Sequence, residues 1–214
     1  MTIEVAHRGI IFDYSSIKEN TIKSIKSAIC LGFDIIEIDI CSTKNEFILR
    51  HDNLIKNNGK IINIEEYDKP YHTTLLEVLQ TYNNIKFFFD IKNININIDK
   101  LIELTMNNIN LNNVYFTSFN ENHLRQICNY EKKHNIKIQK GFITSNLNED
   151  IYDNIINKFN IDLLIIDYRQ TSPELIDKIK KQNIKIAVWV VNDTQLKKYF
   201  KNLYVDYIIT ECIS

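Results

Sequence analysis

The chain has 214 residues, 44% of them hydrophobic and 25% charged, with a formal net charge of −1. That composition supports one substantial core and excludes a disordered or fibrous chain. The 26 basic and 27 acidic residues form no long blocks of one sign, which argues against a nucleic-acid backbone as partner and for a small or locally charged ligand.

The chain opens MTIEVAHRG, running into strand-like sequence without the layout of a secretory signal. The first strand is expected over residues 3–7. A helical pattern over 19–32, ENTIKSIKSAICLG, leads to a second strand over 35–41, IIEIDIC. Residues 52–72 are irregular, with a strand-like piece KIINI and no clear helix; a connection of that length beside a sheet is more often functional than accidental. Helical patterns over 73–84, 99–110, 121–135, 148–160, 172–183 and 193–203 then alternate with strands over 86–91, 114–118, 137–143, 161–167, 184–191 and 205–210. Ser172 before Pro173 and Asp193 before Thr194 are expected N-caps.

Eight near-continuously apolar strands separated by helices predict an α/β fold, a parallel eight-stranded (β/α)8 TIM barrel in one domain spanning residues 1–214. The competing doubly wound sheet lacks a glycine-rich phosphate loop after its first strand. The chain stops about four residues past the eighth strand, so the final helix is expected to be missing, and a homo-oligomer is expected to cover that flank. No apolar run approaches the ~20 residues of a transmembrane helix. The expectation is a soluble, cytoplasmic protein. Cys30, Cys41, Cys128 and Cys212 show no metal-ligand spacing and are expected to be reduced thiols, mostly small core residues.

Side chains two apart on a strand share a face, so Glu37 and Asp39 point one way and Ile36, Ile38 and Ile40 the other. Two like charges inside a barrel are costly unless a cation lies between them. At the C-terminal mouth a hard divalent ion, Mg2+ or Ca2+, would serve, and salt bridges to Lys or Arg are the alternative. His7 and Arg8, His51 and Asp52, Asp90 and Lys92, and Trp189 and Asn192 also fall at strand ends that converge in a barrel. Histidines to move protons and cations to offset a phosphoryl charge suggest phosphodiester cleavage. His72, His123 and His134 fall in or beside helices and are expected to be solvated.

These residues resemble the glycerophosphodiester phosphodiesterase family, whose barrel is shared with phosphatidylinositol-specific phospholipase C. AHRG at 6–9, ENT at 19–21, EID at 37–39, HD at 51–52, TSF at 117–119, SPELI from 172, VWVVND from 188 and VDYIITE from 205 carry the resemblance. It implies metal-dependent hydrolysis of a glycerophosphodiester to glycerol 3-phosphate and an alcohol. Glu37, Asp39 and Asp90 would be ligands of one divalent cation, His7 and His51 the acid and base, and Arg8, Lys92 and Trp189 the substrate contacts, through a cyclic phosphodiester.

Three departures stand out. The third ligand, commonly Glu in E-x-K, is here Asp90 in FDIK. NLIKNNGKIINIEEYDKP replaces the stretch that commonly follows His-Asp, and Lys18 replaces a Pro before ENT. The D-x-K form is similar to the sphingomyelinase D toxins, so lysophospholipase D-like activity on lysolipids is an alternative, with Tyr67, Tyr71 and Trp189 either meeting an acyl chain or headgroup or serving in packing and loop anchoring, the latter favoured for the two tyrosines. A non-catalytic module that binds phosphodiesters or lipid is another.

Overall fold

The computed structural model describes residues 1–10, 17–71, 73–146 and 149–212. Its strands are β1 (Ile3–Ala6), β2 (Ile35–Ser42), β3 (Phe47–Leu49), β4 (Leu54–Asn57), β5 (Lys60–Asn63), β6 (Lys86–Ile91), β7 (Val114–Ser118), β8 (Lys140–Thr144), β9 (Leu163–Asp167), β10 (Lys185–Trp189) and β11 (Tyr207–Thr210). Its helices are α1 (Ile22–Cys30), α2 (Leu75–Thr81), α3 (Ile98–Met106), α4 (Glu121–His134), α5 (Glu149–Phe159), α6 (Pro173–Lys180) and α7 (Thr194–Asn202). Strands β1, β2, β6, β7, β8, β9, β10 and β11 pair in parallel in that order, and β11 returns to β1. The result is a (β/α)8 barrel, with one helix in each of the seven connections between barrel strands. β3 lies antiparallel on the end of β2, and β4 and β5 form a separate hairpin.

The alternation along each strand sorts two cores. Ile36, Ile38 and Ile40 join the layer between sheet and helices, together with Phe87 and Phe89. Val5, Ile35, Phe88, Ile165, Ala187 and Ile209 fill the barrel interior. Each buried Ile or Phe stabilises by roughly 1.5–3 kcal/mol relative to exposure, which is why a chain with only four glycines and two prolines needs few turn signals to hold its register. Helix starts are set locally: Ser172 Oγ accepts the Leu175 N–H ahead of Pro173, and Asp193 accepts that of Leu196, as expected from sequence. The floor is plugged by the Lys185 ammonium, which donates to the hydroxyls of Tyr115 (3.0 Å) and Tyr207 (3.2 Å), with Phe88 edge-packed on both rings. Open polar chemistry is left to the other end.

Strand limits differ from the expected ones mainly at β8, expected from residue 137 and observed from Lys140. The Ile138 N–H donates to the Glu131 carboxylate at 2.8 Å instead of to a neighbouring strand. Of the four free thiols only Cys41 belongs to the core; Cys30 and Cys212 are exposed, so the expectation of mostly buried thiols fails. His123 is also not solvated: it is fully buried, with Nδ1 2.8 Å from Ser118 Oγ, and burial pushes its pKa down. Side-chain hydrogen bonding to the end of β7 turned a helix histidine inward, which helical position alone does not reveal. His134 is exposed, and His72 lies outside the described residues.

Candidate active site

Register builds the mouth. Ala6 pairs with both Ile36 and Thr210, so the next residues along, His7, Glu37 and Glu211, are neighbours. Asp39 pairs with Asp90 across β2 and β6. All five continue the inward-facing alternation of their strands, past Val5, Ile35, Phe88 and Ile209. A sharp turn follows β1. Gly9 has φ +75°, and a Cβ there would come within 2.5 Å of Ser24, so the AHRG glycine is required by close approach. Arg8 itself adopts the left-handed region, φ 54°, which aims its N–H at Glu37 Oε2 (2.9 Å).

One oxygen from each of Glu37, Asp39 and Asp90 lies within 4.8 Å of the others, and all three residues are buried. Two cations face them. Lys92 Nζ sits 2.9 Å from Asp39 Oδ1 and 2.5 Å from Asp90 Oδ2. Arg8 Nε lies 3.0 Å from Asp39 Oδ2, an ion-pair contact not aligned for a hydrogen bond, while Arg8 Nη1 binds Glu19. Asn20 exchanges two hydrogen bonds with Asp39, donating from Nδ2 to Oδ2 (2.8 Å) and accepting the Asp39 N–H (3.0 Å).

This asymmetry divides the carboxylates. Burial pushes Asp39 up, but Lys92, Arg8 and the Asn20 hydrogen bond outweigh it and hold it below its usual range. Burial and the Asp39 charge push Glu37 up to about 8; burial pushes Asp90 up to about 6 against the pull of Lys92. Asp90 Oδ1 is buried without a hydrogen-bond partner among the described residues. Three clustered carboxylates against two cations, with a buried Asp90 oxygen left unpartnered, form a donor set that fits a divalent metal ion. Asp90, despite its shorter arm, reaches the cluster.

His7 Nδ1 lies 3.2 Å from Glu211 Oε1, and Glu211 is tied by Asn192, which donates from Nδ2 to Oε2 (2.8 Å) and accepts the Glu211 N–H (2.8 Å). Burial lowers the His7 pKa, but the Glu211 hydrogen bond and the Glu37 charge outweigh it and the net shift is upward; the same hydrogen bond holds Glu211 down at about 2. His51 Nδ1 lies 2.9 Å from Asp52 Oδ1 on the exposed edge beyond β3. His7, Arg8, His51, Lys92, Phe119 and Trp189 share a cavity of about 110 Å³ with Glu37 and Asp90. Trp189 and Phe119 meet edge to face at 5.9 Å on its apolar side, and Lys92 Nζ lies 5.7 Å from the Phe119 ring centre. All eight residues singled out as catalytic, substrate-binding or metal-binding therefore converge on one mouth.

The chain also matches a family model, that of the glycerophosphoryl diester phosphodiesterase family, over residues 7–213. The chain belongs to that family. It is thus a phosphoric diester hydrolase of the glycerophosphodiester phosphodiesterase type. Solved structures of the family have the same fold. A phosphodiesterase from Oleispira antarctica in complex with sn-glycerol-3-phosphate, described as its product, is 19% identical, covers 98% of this chain and 92% of its own length, and superposes with a TM-score of 0.81. A glycerophosphodiester phosphodiesterase from Parabacteroides distasonis is 20% identical over 98% and 92%, with a TM-score of 0.81, and one from Thermotoga maritima 20% identical over 99% and 95%, with a TM-score of 0.70. A sequence search of curated proteins finds no match.

Sequence reasoning missed Glu211, although the VDYIITE segment contains it, and gave no role to Glu19, Asn20 or Phe119 from ENT and TSF. The usable signal was alternation: Glu211 has the parity of Tyr207 and Ile209, and barrel closure puts it beside His7. Tyr67 and Tyr71 take the packing role weighed for them beside a headgroup or acyl contact, meeting edge to face at 6.4 Å over a small core of Cys41, Ile48 and Ile64. They anchor the segment after β3. Arg50 fastens the same segment through Tyr71 Oη and the carbonyls of Asp52 and Leu54.

Proposed function

We propose that the protein hydrolyses a glycerophosphodiester to glycerol 3-phosphate and an alcohol, with His7 and His51 moving protons, Glu37, Asp39 and Asp90 holding one divalent cation, Mg2+ or Ca2+, and Arg8, Lys92 and Trp189 contacting substrate. The observation that carries this reading is the joining of a buried three-carboxylate cluster to His7, His51 and two cations around one small cavity. When bound, the cation would supply Lewis-acid stabilisation of a phosphoryl oxygen.

The side chains do the rest. In the neutral form of each ring, a carboxylate at Nδ1 favours the proton there and leaves Nε2 as the basic nitrogen. One histidine takes the proton of the glycerol hydroxyl beside the phosphate, and the freed oxygen attacks phosphorus. The bond to the alcohol oxygen breaks, and the other histidine protonates it as it leaves. This yields a cyclic phosphodiester, which water opens with the two roles reversed. Arg8 and Lys92 offset the charge that builds on the phosphoryl oxygens, and Trp189 with Phe119 forms an apolar side for the departing alcohol or the glycerol carbons.

Phosphorus NMR with glycerophosphocholine, glycerophosphoethanolamine and glycerophosphoinositol, in Mg2+, in Ca2+ and in chelator, tests this. Glycerol 3-phosphate appearing only with a divalent ion is the expected result. Undiminished turnover in chelator would remove the metal assignment, and intact substrate in every sample would leave only a binding role.

A further inference from the structure

We infer that His123 is a positioning residue: with Ser118 it grips the chain on both sides of Lys92 and so fixes where the Lys92 ammonium stands in the mouth. Its bearing on turnover rests on the role proposed above for Lys92 at the phosphoryl group. Lys92 lies one residue past β6, where its N–H donates to the Ile40 carbonyl at 3.0 Å. From there residues 93–97 cross to α3 without strand or helix. Apolar burial does little to hold the start of this crossing, because Ile94 is 69% exposed and the buried Ile96 comes only later.

The carbonyls that bracket Lys92 are held from β7 and α4. That of Ile91 accepts from Ser118 Oγ at 3.1 Å, and that of Ile94 lies 3.4 Å from His123 Nε2. His123 Nδ1 is 2.8 Å from the same Ser118 Oγ, which also accepts the Asn120 N–H at 3.0 Å. A carbonyl can only accept, so the ring proton belongs on Nε2, and Nδ1 shares the Ser118 hydroxyl proton with the Ile91 carbonyl. Burial pushes the His123 pKa down, and its place in the first turn of α4 also disfavours a positive charge. One ring proton and one hydroxyl proton thus serve both carbonyls.

On the other side Asn93 Oδ1 accepts the Ser42 N–H at 2.5 Å. At the tip of the side chain, Lys92 Nζ meets Asp39 Oδ1 at 2.9 Å and Asp90 Oδ2 at 2.5 Å. An ammonium on a flexible four-carbon stem offsets charge at one defined point only when its backbone is fixed. Packing by itself gives no reason for the imidazole: His123 is fully buried beside Leu124 and Ile127 of α4, where an apolar side chain would have no nitrogens to satisfy. His123 does not line the catalytic cavity, so it acts on turnover through the segment it holds.

A double-mutant cycle of His123→Phe and Lys92→Met, read by turnover of glycerophosphocholine and by NMR hydrogen exchange, tests the assignment. His123→Phe keeps a buried ring of similar size and should lower kcat/KM on the order of tenfold. In the Lys92→Met background the same change should cost about twofold or less, because the group it positions is gone. His123→Gln, whose amide can donate to the Ile94 carbonyl, should recover most of the loss. In His123→Phe the Lys92 amide should exchange on the order of tenfold faster, while amides within β8 and β9 keep their wild-type rates. Should His123→Phe fail to fold, Ser118→Ala carries the same cycle with the same expected coupling. Undiminished turnover of His123→Phe, an equal loss with and without Lys92, or an unchanged Lys92 exchange rate would overturn the assignment. Wild-type turnover by Lys92→Met would instead count against the proposed chemistry, and the exchange rate would then decide the grip on Lys92 by itself.

Discussion

The inner wall of the mouth and the excursion after β2 each present one histidine to the cavity, and each histidine meets a carboxylate through Nδ1. What stands behind the carboxylate differs. Glu211 follows a barrel strand and is held by both ends of the Asn192 amide, whose Oδ1 also accepts from Thr210 Oγ1. The Asp52 side chain is 71% exposed and, among the described residues, hydrogen-bonds only to His51. Similar contact distances, 3.2 and 2.9 Å, thus describe a fixed pair and a loose one. The lesson is that a histidine–carboxylate pair positions a proton only as firmly as the carboxylate is itself positioned.

The largest effect is expected where the comparison should vanish. His7→Ala and His51→Ala should each reduce kcat/KM by roughly 10²–10⁴, the range of one acid–base group, with circular dichroism unchanged. A variant at either position that keeps near-normal turnover would take that residue out of the proposed chemistry.

The two carboxylates should then separate. Glu211→Gln is expected to lower kcat by on the order of tenfold or more through misplacement of His7, whereas Asp52→Asn should cost about fivefold or less, the ceiling for an exposed ion pair. Steady-state kinetics on both variants decides this; equal losses would mean that anchoring behind the carboxylate is irrelevant.

The fixed pair also carries a pH signature. His7 is raised above its ordinary 6.5 in the folded protein, so its contribution is complete below that value and fades as pH rises through the raised folded value. Glu211 is lowered from 4.5 to about 2, so its contribution is complete above 4.5 and fades as pH falls toward 2. Urea melts should therefore show wild type more stable than Glu211→Gln chiefly between pH 4.5 and 6.5, with the gap closing on both sides. Asp52→Asn should show a much smaller gap.

The smallest effect belongs to the outer face of the excursion. Ile61→Ser should change stability by no more than ~0.5 kcal/mol, as for an exposed site with no partner to lose, while Ile48→Ala in the core beneath should cost about 2–4 kcal/mol. Thermal denaturation of the two checks whether the excursion is a packed layer with a free outer surface.

Much of this was legible from the chain. Alternation in IEIDIC assigned Glu37 and Asp39 to one face and three isoleucines to the other, because a pleated strand leaves no other choice. Strand count and order gave the barrel, and convergence of strand ends gave the mouth. What alternation cannot supply is the partner of an inward-facing group. Glu37 and Asp39 look equivalent in sequence, yet Asn20, Arg8 and Lys92 hold Asp39 ionised while Glu37, which among the described residues accepts one backbone N–H, is pushed up to about 8 by burial and the Asp39 charge. Likewise His123 has the look of a solvated helix residue until the end of β7 is placed against it.

The sequence by itself thus determined which side chains face inward and at which end of the barrel they gather, since both depend only on local periodicity and the order of elements. The tertiary structure alone decided which of them touch. Pairing Ala6 with Thr210 brings together residues 204 apart, His7 and Glu211, and the register that does so is set by closure of the whole sheet, to which no local stretch of chain has access.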